Sequence, residues 1–229
     1  MERISIHDGK TNNIFVVPNF ECKNCDIIAK AAAQYLNASY IINNSWKDGP
    51  AYDYDTETCN CANLNHLVDV PYDEFLDPLK RFVIRAKNKS KNQEARIYYI
   101  FGLENDVKRL TNDKDTGMII GYGLGDPDSL TCERWMVKGL IHLMDMDNDV
   151  SAMSIYGGKT IFTGWHKNSI NQLYRKNGRD MNVMSMQLGI LMDNRTSEAS
   201  ADLFGEYLGS KIDVLDNTRV PAGTTVWTV

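Results

Sequence analysis

Apolar residues along this chain gather in short β-branched runs, separated by longer segments with helical spacing. Ile14-Phe15-Val16-Val17 is an unbroken apolar run, the pattern of a strand buried on both faces. Pro18 ends it, because proline cannot donate to a sheet ladder. A polar turn follows, and from Asp26 an alanine-rich stretch predicts a helix. Ser39–Asn43 (SYIIN) predicts a second strand, Arg96–Phe101 (RIYYIF) a strong central one, Met118–Gly121 another and Val183–Met192 a late one. Arg3–His7 fits a short edge strand, and Ser151–Phe162 a strand pair turning at Gly157-Gly158. Leu67–Lys87 places Phe75, Leu79, Phe82 and Val83 on one helical face, with Pro78 predicting a break or kink. Further helices are predicted over Leu130–Met144, Asn168–Lys176 and Ser197–Ile212, the last capped by Ser197.

Strands alternating with helices predict an α/β fold: a three-layer sandwich with a mainly parallel central sheet and helices on both faces. The chain's 229 residues suit a single domain, 1–229, with no repeat and no internal boundary. In such sheets ligands bind beyond the carboxyl ends of the strands. That expectation places the cleft beside Asn19, Phe101 and the glycine-rich loop that begins at Gly121. Asn44–Asn65, the longest irregular stretch, is expected to serve function.

Composition narrows the classes of partner. A 43% hydrophobic, 24% charged chain is that of an ordinary soluble globule. A net charge of −5 without a dense basic cluster argues against nucleic acid, which is held through clustered Lys and Arg. No apolar run reaches the roughly 18 residues of a membrane span. Met1-Glu2-Arg3 leads into polar residues, so the expectation is no secretory signal, a cytoplasmic location and reduced thiols. The expected partner is a small-molecule ligand, and the sequence leaves the oligomeric state open.

Cys22-x-x-Cys25 and Cys59-x-Cys61 are the main chemical signal. Four thiolates suit zinc or an iron–sulfur cluster. The same residues also fit two other descriptions, small buried hydrophobes or, for Cys22 and Cys25 at a helix start, a redox pair. The cofactor expectation is therefore zinc, an iron–sulfur cluster, or none. His66 lies close enough to the second pair to join a metal there, and Cys132 reads as core. The four histidines are scattered, and His142, among Leu140, Ile141 and Leu143, reads as structural. His166, in Gly164-Trp165-His166-Lys167, is the candidate general acid or base, since imidazole titrates near neutrality. Gly121-x-Gly-x-Gly125 lacks the spacing of a phosphate-binding loop and predicts a tight turn, with Asp126 and Asp128 capping the next helix. Asp145–Asp149 reads as a solvated turn.

Three stretches taken together resemble the N-formylglutamate amidohydrolase family of zinc carboxypeptidase-like hydrolases. Val16-Val17-Pro18 is similar to that family's strand ending in Pro-His, and Tyr99-Ile100-Phe101-Gly102 to its Asp-x-His-Gly strand end. Met186-Gln187-Leu188-Gly189-Ile190, followed by Arg195, is similar to its Gln-x-Glu-x strand followed by Arg. Tyr156-Gly157-Gly158 and the helix after Thr196 fall in the same order, so the resemblance covers most of the chain. It implies an amide-hydrolase scaffold. It also implies that the metal-ligand positions are held here by Asn19, Phe101 and Gly189, none of them a good zinc ligand. The expected protein is a divergent amidohydrolase acting on or binding a small N-acyl amino acid or related amide. Glu21 and His166 are its candidates for proton transfer. Asn19, Arg175 and Arg195 are its candidates for holding substrate, because a guanidinium matches a carboxylate bidentately. The alternative is a non-catalytic protein in which Cys22, Cys25, Cys59 and Cys61 hold a structural or sensing metal.

Overall fold

A computed structural model describes residues 3–44, 72–103, 116–124, 127–146, 151–154, 164, 169–174 and 182–218. The strands are β1 (Ile4–His7), β2 (Asn13–Val17), β3 (Ser39–Asn43), β4 (Ala95–Leu103), β5 (Thr116–Gly121), β6 (Ser151–Ser154) and β7 (Val183–Leu191). The helices are α1 (Cys25–Leu36), α2 (Asp77–Lys89), α3 (Arg134–Asp145) and α4 (Glu198–Asn217).

The strands form one seven-stranded sheet in the order β1-β3-β2-β4-β7-β5-β6. The middle four, β3, β2, β4 and β7, are mutually parallel. β1 runs antiparallel to β3 at one edge, and β5 and β6, parallel to each other, run antiparallel to β7 at the other. The expected parallel sheet is thus its centre, and β4 does lie at the middle of the order.

Alternation along each strand builds the two outer layers. Phe15 and Val17 of β2, with Tyr98 and Ile100 of β4 and Leu188 and Ile190 of β7, pack under α1, α3 and α4. The intervening Ile14 and Val16, Ile97 and Tyr99 pack under α2 and the turn before it, through Leu79, Phe82 and Val83 of the helix and Phe75 of the turn. This is the three-layer sandwich expected from the pattern. α1 and α4 approach closely because small residues face each other: a Cβ added at Gly205 would stand 2.6 Å from the Ile28 carbonyl and 2.7 Å from Ala31 Cβ.

Several boundaries differ from the pattern's expectation. Pro78 does not kink a long helix. It occupies the first turn of α2, where its missing N–H is one the helix leaves unpaired anyway, and a π-helical turn (Tyr72–Leu76) precedes it. α3 starts at Arg134 with Glu133 at the N-cap, so Asp128 is not its cap; Asp128 lies in a separate 3₁₀ turn (Pro127–Ser129). The predicted polar helix over 168–176 is a 3₁₀ turn (Ile170–Tyr174) whose Ile170, Asn171 and Gln172 are buried against the sheet. Only the first limb of the predicted pair over 151–162 is described, as β6. α4 starts as expected: Ser197 Oγ accepts from Ser200 N (3.1 Å) and Ser200 Oγ from Ser197 N (3.0 Å), a reciprocal cap.

Candidate functional site

The carboxyl ends of β2, β3, β4 and β7 share one rim of the sheet, because these strands are parallel. β2 stops at Pro18, whose carbonyl accepts from Asn43 Nδ2 (2.9 Å), so the ends of β2 and β3 are tied by a buried amide. The next turn is wound on itself. Asn19 Oδ1 accepts from Glu21 N (3.0 Å), Asn19 O from Cys22 N (3.3 Å), and Cys22 O from Cys25 N (3.3 Å). Asn24 then adopts φ 60, the left-handed region that Asn tolerates, and Cys25 opens α1.

These turns border an open cleft of about 440 Å³ lined by Asn19, Phe20, Cys22, Asp26, Asn43 and Asn44. A second hollow, of about 470 Å³, lies along α2 beside Val83, Ile84 and Lys87 and reaches Gln93, just before the amino end of β4. The strand-end cleft is where an open α/β sheet places its ligand. The glycine loop does not belong to it. β5 runs antiparallel to β7, with Met118 opposite Ile190 and Gly121 opposite Gln187, which carries Gly121–Leu124 to the opposite rim. There Gly123 takes φ +75, and a Cβ on it would overlap the Ser129 carbonyl, so the tight-turn expectation holds while the cleft expectation for this loop is corrected.

Arg195 sits behind the cleft. It ends a 3₁₀ turn (Met192–Arg195) and is 1% exposed. Its Nε donates to Ile190 O (3.1 Å), one terminal nitrogen to Leu103 O (3.0 Å) and the other to Lys23 O (3.2 Å). Asn24 Nδ2 donates in return to Arg195 O (2.9 Å). One guanidinium therefore ties the ends of β4 and β7 to the loop between the two cysteines. Gly102 makes room for it: a Cβ there would lie 2.6 Å from Arg195 Cζ and 2.7 Å from Cys22 Sγ. Cys22 and Cys25 are joined as a disulfide, with Cα atoms 5.6 Å apart, within the usual span. Cys22 is partly exposed on the cleft and Cys25 is fully buried.

The sequence candidates thus separate. Asn19 and Cys22 line the cleft, Glu21 stands in the same turn with an exposed side chain, and Arg195 is buried on backbone carbonyls. His166, Arg175, Cys59 and Cys61 lie outside the described residues, as does His66. The structure joins Cys22 to Cys25, whereas Cys59 and Cys61, expected to complete a metal site with them, lie outside the described residues. Cys132 is core as expected: it packs against Met136 Sδ (3.6 Å), and burial pushes its thiol pKa up. Pattern reasoning missed Asn43 and Asn44. A polar residue closing the otherwise apolar run SYIIN was the available signal.

The donor set does not fit a zinc ion at the positions the resemblance implies. The Asn19 side-chain oxygen, Oδ1, already accepts from Glu21 N, and Phe101, 7% exposed, offers only a hydrocarbon ring. At Gly189 a Cβ would meet Leu103 Cδ1 at 2.5 Å and Cγ at 2.9 Å, so Leu103 fills the space a glutamate would need. Among the described residues no three His, Cys, Asp or Glu side chains are grouped as metal ligands. Also among the described residues, no helix is long and apolar enough to cross a membrane.

Neither a protein-family model nor a curated protein matches the sequence. Solved structures do match the fold. A gene product from Agrobacterium tumefaciens superposes with a TM-score of 0.58 at 10% identity, covering 93% of each chain. YNDL in its zinc-free apo form gives a TM-score of 0.50 at 11% identity, over 93% of this chain and 89% of that one. N-formylglutamate amidohydrolase from Ralstonia eutropha gives a TM-score of 0.55 at 9% identity, over 93% of this chain and 99% of that one. Across nearly its whole length, then, this chain is similar to N-formylglutamate amidohydrolase in fold, at an identity low enough that the likeness is one of architecture.

Proposed function

We propose that this protein binds a small N-acyl amino acid or related amide in the cleft at the ends of β2 and β3, on an amidohydrolase scaffold that lacks the usual metal ligands. One observation carries the proposal: the open volume of the sheet rim lies beside side-chain amides, those of Asn19, Asn43 and Asn44, while the ends of β4 and β7 are closed by Phe101, Leu103 and Arg195. Asn19 accepts from Glu21 N through Oδ1, so its Nδ2 is the amide group to donate to a ligand carbonyl. The aromatic ring of Phe20 gives the acyl group an apolar surface. The fold match to N-formylglutamate amidohydrolase supports the ligand class. Arg195 acts here through the backbone it holds, since its nitrogens already donate to three carbonyls.

The test is calorimetric titration of the whole chain with N-formyl-L-glutamate and a panel of N-acetyl amino acids, with hydrolysis assayed in parallel with and without added zinc. Saturable one-to-one binding is expected, weakened roughly fivefold to tenfold by Asn19→Ala, the value of about one hydrogen bond. Zinc-dependent turnover would overturn the binding-only assignment. Absence of saturable binding across the panel would overturn the ligand class.

A further inference from the structure

We infer that Cys22 and Cys25 form a thiol–disulfide exchange site, with Cys22 as the sulfur that meets the outside reagent. The two sulfurs differ in access: Cys22 is partly exposed and lines the cleft, whereas Cys25 is fully buried as the first residue of α1. An exchanging pair has this asymmetry, one sulfur to attack or be attacked and one to resolve. The backbone between them is held independently of the S–S bond. Arg195 donates to Lys23 O (3.2 Å), Asn24 Nδ2 donates to Arg195 O (2.9 Å), and Cys25 N donates to Cys22 O (3.3 Å). Opening the disulfide therefore leaves the sulfurs facing each other and ready to close again. Cys22 Sγ and the Arg195 guanidinium both pack over Gly102, where a Cβ would lie 2.7 Å from the sulfur and 2.6 Å from Arg195 Cζ.

A purely structural staple is a poor account of this bond. It closes a loop of only two intervening residues, so it removes little entropy from the unfolded chain. Cys25 also sits at a helix N-terminus, and Cys22 Sγ packs over Gly102 beside the Arg195 guanidinium, surroundings in which departing thiolates are stabilised.

The exchange is balanced as follows. The thiolate of a low-molecular-weight thiol such as glutathione attacks Cys22 Sγ, the Cys22–Cys25 bond breaks, and Cys25 leaves as thiolate and takes a proton. A second glutathione thiolate attacks the glutathione sulfur of the mixed disulfide and releases Cys22 as thiolate. Two thiols become one oxidised glutathione, and the protein disulfide becomes two thiols. The reverse sequence oxidises the pair.

The experiment equilibrates the folded full-length protein in buffers spanning reduced to oxidised glutathione. Disulfide content at Cys22 and Cys25 is read by alkylation and peptide mass, and the fold by circular dichroism. The pair is expected to cycle fully while the fold signal is constant, and in the reduced protein Cys22 should alkylate about tenfold or more faster than Cys25. Cys25→Ser should trap one glutathione on Cys22, whereas Cys22→Ser should trap none on Cys25. Resistance of the disulfide to reduced glutathione until denaturant is added would overturn the inference. So would equal alkylation of the two sulfurs, or a Cys25→Ser protein that acquires no adduct. Because none of these readouts involves the cleft ligand, their failure is distinguishable from failure of the proposed function.

Discussion

Replacing Arg195 separates two roles that one residue can have at this rim. As a substrate clamp it would present its guanidinium to a ligand carboxylate. In the structure it is 1% exposed and donates to the carbonyls of Ile190, Leu103 and Lys23. Arg195→Met keeps most of the volume and removes all three donors. Each hydrogen bond to a charged group contributes about 1.5–3 kcal/mol, but the three share one side chain and are not additive. Two of the freed carbonyls stay buried at the ends of β4 and β7, and a buried acceptor left unsatisfied costs about 1–3 kcal/mol, so the pair costs about 2–6 kcal/mol. Against a domain stability of about 5–15 kcal/mol, that is a large fraction. For a chain of this length it corresponds to a fall in Tm of roughly 4–24 °C. Arg195→Lys should fall in between, because an ammonium cannot span three carbonyls with the planar fork. Urea unfolding followed by circular dichroism measures the loss. A cost below about 1 kcal/mol, together with lost affinity for N-acyl amino acids, would refute the cross-link and return Arg195 to the ligand.

Three further outcomes follow from the packing. Gly189→Ala drives a Cβ into Leu103, 2.5 Å from its Cδ1, and should cost about 1–3 kcal/mol; the loss should shrink when Leu103→Ala is combined with it, a coupling that additive costs would contradict. Asp216→Ala takes away the carboxylate shared by Arg96 and by Asn13 Nδ2 (2.7 Å), and should lower stability by about 2 kcal/mol, the charges being partly exposed; a neutral result in urea unfolding would contradict this. Burial pushes the Cys132 thiol and the Tyr98 phenol above their ordinary values of 9.0 and 10.0, so above about pH 9 the native state holds protons that the unfolded chain releases. Stability should therefore be unaffected by these groups below pH 9 and fall as pH rises beyond it, by up to about 1.4 kcal/mol per unit for each group. Cys132→Ala with Tyr98→Phe should flatten that fall, and a profile unchanged by the pair would refute the assignment.

The strands were legible because their residues leave little choice. Ile14–Val17 and Ile97–Phe101 are short, apolar at successive positions and rich in β-branched and aromatic residues, which suits a strand covered on both faces, and α2 and α1 cover them. Strand direction was not legible. Nothing in Met118–Gly121 signals that β5 runs against β7, since the apolar run reads the same either way, and the glycine loop was therefore expected on the wrong rim. Helix ends were missed where a short polar segment had two local options. Pro78 serves equally as a kink or as a first-turn residue, and only the π-helical turn before it decides. At the site, Asn19 and Cys22 were found because they follow Pro18 at once. The burial of Arg195 was not, because its partners are carbonyls contributed by residues 23, 103 and 190, which carry no side-chain signature.

That placement bears on what the scaffold can do. A hydrolytic metal site needs open volume with several anionic or imidazole donors converging on it. At the ends of β4 and β7 the volume is taken by Leu103 over Gly189 and by the Phe101 ring, and the polar capacity is taken by the Arg195–carbonyl contacts. One substitution does not build such a site there: Gly189→Glu meets Leu103 at once, and Phe101→His adds a single donor. Open volume lies instead one strand pair away, where amides and a partly exposed sulfur line the ends of β2 and β3. Arg195 connects the two regions, closing the first and holding the cysteine loop of the second. Its removal should therefore disturb the β2–β3 cleft and the disulfide together, whereas Asn19→Ala should weaken the ligand and leave disulfide exchange unchanged.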